Sequence, residues 1–260
     1  GHEGSGLPPG GVFSLVIDPT SPLASRTLFA AVTGYGVYRS DDGGLSWRAA
    51  SAGLPEENRN VLQVAMDPTD PRRLVAIAGA QYSAQTRRRE PGYIARSTDG
   101  AESWQVVKSR VEPQCVLVDP FDPRRIYVGN RNFSGVDYPN ALYISEDGGD
   151  SWISLDQSQF LAGPGSRDGD QGARVLVSCL AADPTRPGRL YAACREESYD
   201  VNNGRGVFVS DDWGLTWQPF PHAGLSNYRI GTLIVDPTNP ARLYAGTSGN
   251  GVFRFGPPPE

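Results

Sequence analysis

The chain has 260 residues, 38% of them hydrophobic and 20% charged, which is enough apolar material for a core and too little charge for a disordered tail. A formal net charge of -5 argues against a nucleic-acid binder built on basic surface. No apolar run nears the ~18 residues of a membrane-spanning helix. With 31 Gly and 22 Pro, the composition points to many short elements joined by turns.

Taken from the N-terminus, Gly1-His2-Glu3-Gly4 carries neither an initiator Met nor a basic-then-apolar leader, and residues 1–11 read as a tag or linker. From there one phrase recurs: an apolar run, Asp-Pro, two or three residues, often another Pro, and a second apolar run. It begins at Asp18, Asp67, Asp119, Asp183 and Asp236 as LVIDPTSP, VAMDPTDP, VLVDPFDP, LAADPTRP and LIVDPTNP. The second runs are TLFAAV, RLVAIAG, RIYVGN, RLYAAC and RLYAGT. A third short run follows in each unit (GVYR, GYIAR, ALYI, GVFV and GVFRF). In the first four units it leads into Ser-x-Asp-x-Gly-x-Ser/Thr-Trp, with Asp42 and Trp47, Asp99 and Trp104, Asp147 and Trp152, and Asp212 and Trp217. Ala101 alone departs from that pattern, standing where the other copies have Gly.

Each unit therefore reads as strand, Pro-rich turn, strand, loop, strand, Asp-containing turn, strand. Four antiparallel strands per ~50 residues, in tandem, predict an all-β, five-bladed β-propeller of four-stranded antiparallel blades. The blades fall at about 12–50, 61–108, 114–155, 174–220 and 230–256, in a single propeller domain over 12–256, with 257–260 as a tail. Gly6-Leu7-Pro8 repeats Gly53-Leu54-Pro55, which follows the fourth strand of blade 1. The last blade is thus expected to have three strands, either as an open edge or because the chain is cut from a longer propeller. The Asp of the second phrase is expected to accept backbone N–H bonds in a tight turn, and the Trp to pack between blades. A structural role outweighs a catalytic one for all eight of these Asp and Trp residues.

This second phrase resembles the Asp-box, or bacterial neuraminidase repeat, over nearly the whole chain. The resemblance implies a sialidase-superfamily propeller fold and only weakly implies sialidase activity. Together with the DP-x-x-P-x-R-L-Y-A-G style of the first phrase, it is closer to the propellers of xyloglucanases, sortilin-type receptors and photosystem assembly factors. A sialidase would also carry an F/Y-R-I-P phrase near the first blade, whereas Tyr228-Arg229-Ile230-Gly231 enters the last blade and lacks the Pro. The resemblance further implies that ligands bind on the rim away from the Asp-boxes, and a secreted, periplasmic or cell-surface setting.

On that rim the second-to-third connection is short in blades 1 and 5. It is long in blades 2, 3 and 4, at 80–91, 130–140 and 195–205, and the blade 3-to-4 connection at 156–173 is long as well. Long loops on a rigid scaffold are where function collects. Their mixture of aromatic, amide and guanidinium groups suits a glycan or a polar peptide. The ligand-binding candidates are Tyr82, Arg131, Phe133, Tyr138, Arg167, Arg195, Tyr199, Asn202 and Arg205, with the run Arg87-Arg88-Arg89 as a weaker anion site. A glycosidase would need two carboxylates across a cleft, for which Asp137, Asp168, Asp170, Glu196 and Asp200 are the candidates.

The expected function is a non-catalytic, monomeric binding scaffold for a glycan or protein partner. Its rivals are a glycoside hydrolase using the same rim and a protein assembly factor. No cofactor or metal is expected; Asp168-Gly169-Asp170 offers hard oxygens that Ca²⁺ would accept, with a plain turn the stronger reading. Cys115 and Cys179 stand four residues before their Asp-Pro, where a small, mildly polar side chain is expected to line a channel. Cys179 and Cys194 are close enough in the repeat for either a disulfide or two buried thiols.

Overall fold

The computed structural model describes residues 5–131, 140–161, 175–196, 204–221 and 229–256. Five antiparallel sheets follow the five repeats, and the protein is a five-bladed β-propeller with a three-stranded last blade. Blade 1 holds β1 (Val12–Ile17), β2 (Leu28–Val32), β3 (Gly36–Ser40) and β4 (Arg48–Ala49). Blade 2 holds β5 (Val61–Met66), β6 (Leu74–Ala78), β9 (Gly92–Ser97) and β10 (Gln105–Val111), with a separate hairpin, β7 (Gln81–Ser83) and β8 (Arg88–Glu90), inserted between β6 and β9. Blade 3 is β11 (Pro113–Val118), β12 (Ile126–Asn130), β13 (Asn140–Ser145) and β14 (Ile153–Asp156). Blade 4 is β15 (Val175–Ala182), β16 (Leu190–Glu196), β17 (Gly204–Ser210) and β18 (Gln218–Pro219). Blade 5 is β19 (Ile230–Val235), β20 (Leu243–Thr247) and β21 (Gly251–Phe255).

The chain forms two compact units, residues 1–118 with 147–150, and residues 119–146 with 151–260. In the first, the core is a layer between two blades. Phe29, Ala31 and Val37 of blade 1 meet Val64, Leu74, Ala76, Tyr93, Ala95 and Trp104 of blade 2. In the second, Tyr191, Ala193, Val207 and Val209 of blade 4 meet Leu233, Val235, Leu243, Ala245 and Phe255 of blade 5. Small Ala residues at the middle of the second strands let the sheets approach, and the larger side chains fill the flanks.

Each first strand described in detail carries a bulge: registers shift between Val12 and Ser14, Val61 and Gln63, Val177 and Cys179, and Ile230 and Thr232. The bulge reverses the in/out alternation part-way along the strand. It also gives the residues four places before Asp-Pro a definite job. The Ser14 hydroxyl lies 3.4 Å from both N and O of Val64. The Gln63 amide donates to Val116 O (3.2 Å) and accepts from Val116 N (2.9 Å). In blade 4 the bulged Ser178 does similar work, donating to Ile230 O at 2.8 Å. The expected channel-lining position is thus a clasp onto the first strand of the next blade, satisfying edge groups that have no fourth neighbour.

The same bulge settles the thiols. Cys179 stands opposite Ala193, and Cys194 opposite Val177, so the two sulfurs are out of register. None of the three cysteines forms a disulfide, and all are buried. Burial pushes the Cys179 thiol up to about 12, which keeps it protonated and unreactive.

Candidate functional site

Every blade has one edge carrying its Asp-Pro turn, joined in blades 1 to 4 by the Asp-box turn, and an opposite edge carrying the second-to-third connection. The first of these edges is hydrogen-bonded throughout. Each Asp-Pro Asp accepts from the residue two places on: Asp18 from Thr20 N (2.8 Å), Asp67 from Thr69 N (2.7 Å), Asp119 from Phe121 N (2.8 Å), Asp183 from Thr185 N (2.9 Å) and Asp236 from Thr238 N (2.9 Å). These are Asx-turns, and the Thr hydroxyls reinforce them.

In the Asp-box, Asp42 accepts from Ser46 N and Oγ at 2.9 and 2.5 Å, and from Ser40 Oγ at 2.8 Å. Asp99 and Asp212 repeat the arrangement with Ser103 and Ser97, and with Thr216 and Ser210. The Ser46 hydroxyl and amide hold Asp42 down to about 2, and Ser103 does the same for Asp99. At Asp212 burial works upward, but the bonds from Thr216 and Ser210 prevail and keep the carboxyl below its ordinary range. These carboxylates have spent their lone pairs on the turn and are poor candidates for proton transfer.

The two turns of a blade are also joined. Gly43 N donates to Arg26 O (2.9 Å), Gly100 N to Arg72 O (2.8 Å) and Trp213 N to Gly188 O (3.0 Å). Trp104 Nε1 reaches the preceding blade at Ala50 O (2.8 Å), as expected of a residue packed between blades. The guanidinium of Arg39 bonds Gly100 O of the following blade at 2.9 Å, and that of Arg96 bonds Gly148 O at 2.9 Å.

The opposite edge of blade 2 is built differently. Its long connection folds into the β7–β8 hairpin, pairing Tyr82 with Arg89, Ser83 with Arg88 and Gln81 with Glu90. Tyr82 is 66% exposed. Arg89 donates to Glu112 at 3.3 Å, and Glu112 also accepts from Ala80 N at 3.4 Å, tying one side of the hairpin to the chain after β10. Thr86 bonds Glu90 across the far end. Arg87 turns the corner at φ 55°.

The root of the hairpin rests on a residue that lies outside both repeated phrases. Asn58, fully buried, donates to Gly79 O (3.1 Å) and Pro91 O (2.9 Å), the two residues where the insertion leaves and rejoins the blade. Its own carbonyl accepts from the Tyr93 hydroxyl at 3.0 Å. Burial pushes the Tyr93 phenol upward, so it stays a donor. Within unit 2, Asn130 plays a comparable part, its amide bonding Asn140 O at 3.0 Å where the blade 3 loop rejoins β13. A single Asn in a connecting segment has no spacing that marks it, so only the folded geometry reveals the role.

The remaining candidates sort as follows. Arg131 is half-buried just after β12, and Arg195 is half-buried near the end of β16. Arg205, expected to face a ligand, is instead fully buried and donates to Leu161 O at 2.9 Å. It braces β17 against Leu161. Glu196 closes β16. Phe133, Asp137, Tyr138, Arg167, Asp168, Asp170, Tyr199, Asp200 and Asn202 lie outside the described residues, as does the Asp168-Gly169-Asp170 expectation for Ca²⁺. Among the described residues no group of three or more His, Cys, Asp or Glu could hold a metal ion. No described helix is long and apolar enough to cross a membrane.

The hairpin presents an exposed aromatic ring, braced at its root and side, with guanidinium groups beside it, an arrangement suited to stacking and hydrogen bonding.

No protein-family model matches the chain. A xyloglucanase from Paenibacillus sp is 25% identical over 241 residues, covering 83% of this chain and 22% of its own length. A xyloglucanase from Acetivibrio thermocellus is 30% identical over 129 residues, 48% of this chain and 13% of its own. The chain thus spans less than a quarter of the length of either relative. The crystal structure of the GH74 xyloglucanase from Xanthomonas campestris superposes with a TM-score of 0.66 at 18% identity, covering 97% of this chain and 36% of that one. In fold and repeat, the chain is a β-propeller of the type these xyloglucanases share.

Proposed function

We propose that this chain is a glycan-recognising propeller of the glycoside hydrolase kind, taking a xyloglucan-like β-glucan on the edge that carries the β7–β8 hairpin, and that it works outside the cytoplasm. The observation that carries the proposal is the similarity to a xyloglucanase along 83% of the chain. The braced Tyr82 supports it, because an exposed ring on a rigid support stacks on a pyranose face at little entropic cost. This reading favours the glycosidase rival over the non-catalytic scaffold. Hydrolysis would fall to carboxylates among Asp137, Asp168, Asp170, Glu196 and Asp200, acting as an acid and base pair.

The test is release of reducing ends from xyloglucan, with binding followed in parallel. Turnover that disappears on changing one of these carboxylates to its amide, with binding retained, supports the hydrolase reading. Binding with no turnover supports a second reading, recognition alone. One observation favours that second reading for blade 2: its described edge carboxylates, Glu90 and Glu112, are already engaged by Thr86 and Arg89. Failure to bind xyloglucan at all overturns both.

A further inference from the structure

Blade 2 departs from the other blades at its hairpin edge in three ways. It carries the β7–β8 insertion. Its fourth strand, β10, runs for seven residues, against two in β4, four in β14 and two in β18. The extra length reaches the hairpin edge, where Val111 stands opposite Gly92. The third departure is a pair of arginines in left-handed backbone. Among the described residues, four that are not glycine have a positive φ: Arg87 (55°), Ala101 (67°), Arg110 (58°) and Trp213 (63°). Ala101 and Trp213 stand inside Asp-box turns, at places where the other copies have Gly. Arg87 and Arg110 belong to neither repeated phrase.

Both arginines occupy seats that favour glycine. Arg87 is the last turn residue before β8. Arg110 is the extra residue of a bulge, between Ser109 opposite Tyr93 and Val111 opposite Gly92. A long side chain gains nothing from such backbone, and residues held in it collect at binding sites. Both are exposed, and among the described residues neither guanidinium has a carboxylate partner.

The edge also gathers them around one ring. Tyr82 and Arg89 are cross-strand partners and share a face of the hairpin. On that face Arg89 reaches Glu112, which lies two residues, roughly 7 Å of extended chain, from Arg110. The hairpin's nearby carboxylates are engaged, Glu90 by Thr86 and Glu112 by Arg89 and Ala80 N. Glu56 and Glu57 are exposed before Asn58, with no ion pair to either arginine among the described residues. Arg88 differs, because it pairs with the buried Ser83 on the face away from Tyr82.

We propose that this edge takes an acidic glycan, with Tyr82 stacked on a sugar ring while Arg87 and Arg110 bind carboxylates borne by the chain, as uronic acids bear them. The inference rests on the glycan reading above and narrows it to β-glucans with acidic groups. A guanidinium takes a carboxylate through paired N–H donors, which supplies direction as well as charge.

Titration calorimetry against three polymers of one backbone tests it: xyloglucan, xyloglucan with its primary alcohols oxidised to carboxylates, and sulfated xyloglucan. The oxidised polymer should bind roughly tenfold tighter than the neutral one at low salt, the scale of a charge-assisted hydrogen bond, and the advantage should shrink as salt is added. R87G and R110G should hold or raise the melting temperature, since glycine relieves the backbone. Each should cut the preference for the oxidised polymer by roughly threefold, a share of one exposed ionic contact, and leave neutral xyloglucan affinity unchanged. R88A removes the same charge from the other face and should leave the preference intact. Equal affinity for xyloglucan and its oxidised form overturns the inference and leaves the glycan reading standing, whereas binding of none of the polymers overturns both. A loss in R88A equal to those in R87G and R110G reduces the effect to net charge and overturns the site. Tighter binding of the sulfated than of the oxidised polymer overturns the assignment to carboxylates.

Discussion

The two edges of blade 2 are built from similar residue types but are wired differently. On the turn edge, Asp67 accepts from Thr69, and the Asp99 carboxylate is engaged by three donors from Ser97 and Ser103. On the opposite edge, Asn58 and Glu112 hold the frame of a hairpin while Tyr82 is left to solvent. The lesson is that an Asp-rich motif repeated in every blade is a folding device. The place to look for recognition is where the repeat is interrupted.

Substitutions should separate the edges, beginning with the largest effect. Trp104 is buried, packs in the layer between blades 1 and 2, and bonds Ala50 O. W104A should cost ~3–5 kcal/mol in denaturant unfolding, the range for removing a buried aromatic. Gly53 comes next. It sits at φ 85°, and an added Cβ would lie 2.2 Å from Trp104 O. G53A must move backbone and should cost about 3 kcal/mol. G44A makes the contrast, since a Cβ there meets only Leu28 and Trp47 at 3.6 and 3.7 Å. Only the left-handed φ penalty applies, about 1 kcal/mol. Equal losses for G53A and G44A would show that the Gly53 seat is not the constraint.

Asn58→Ala leaves Gly79 O and Pro91 O short of a buried donor and should cost ~1–3 kcal/mol. It should also weaken glycan binding while touching no ligand, because the hairpin loses its root. If binding is unchanged, Asn58 supports the fold and not the site.

The pH dependence is smaller and follows from the Asp-boxes. Asp42 and Asp99 have folded values near 2 against an ordinary 3.8. Their folded values are depressed, so the stability they contribute is present above about pH 4 and is lost as pH falls toward 2. Thermal unfolding from pH 5 to 2 should show a decline that D42N or D99N flattens. These groups are solvent-accessible, so salt will soften the effect.

Much of the fold was legible because the repeat writes it five times. The Asp-Pro and Asp-box phrases fix turns, and turns fix strands. Even Gly6-Leu7-Pro8 kept its meaning: Ser5 O accepts from Trp47 N as Ala52 O accepts from Trp104 N. The bulges escaped notice because the bulged residues, Phe13, Leu62, Ser178 and Gly231, share no chemistry. The hairpin escaped because Gln-Tyr-Ser and Arg-Arg-Glu are not strand-like by composition. Arg205 differs from expectation because a charged residue beside a long loop reads as solvent-facing, whereas its guanidinium is buried and donates a hydrogen bond to Leu161 O. Ala101 adopts the left-handed conformation (φ 67°) of the Gly it replaces, so the motif's one departure left the turn intact.

The proposed recognising edge of blade 2 depends most directly on Tyr82. The measurement that tests it is xyloglucan affinity and unfolding stability of Tyr82→Ala, taken side by side. An exposed side chain should leave stability within about 0.5 kcal/mol, and loss of a stacking ring should weaken binding by roughly tenfold, near 1.4 kcal/mol. Unchanged affinity, or a loss of stability matching the loss of binding, would contradict the division of blade 2 into a structural edge and a recognising one.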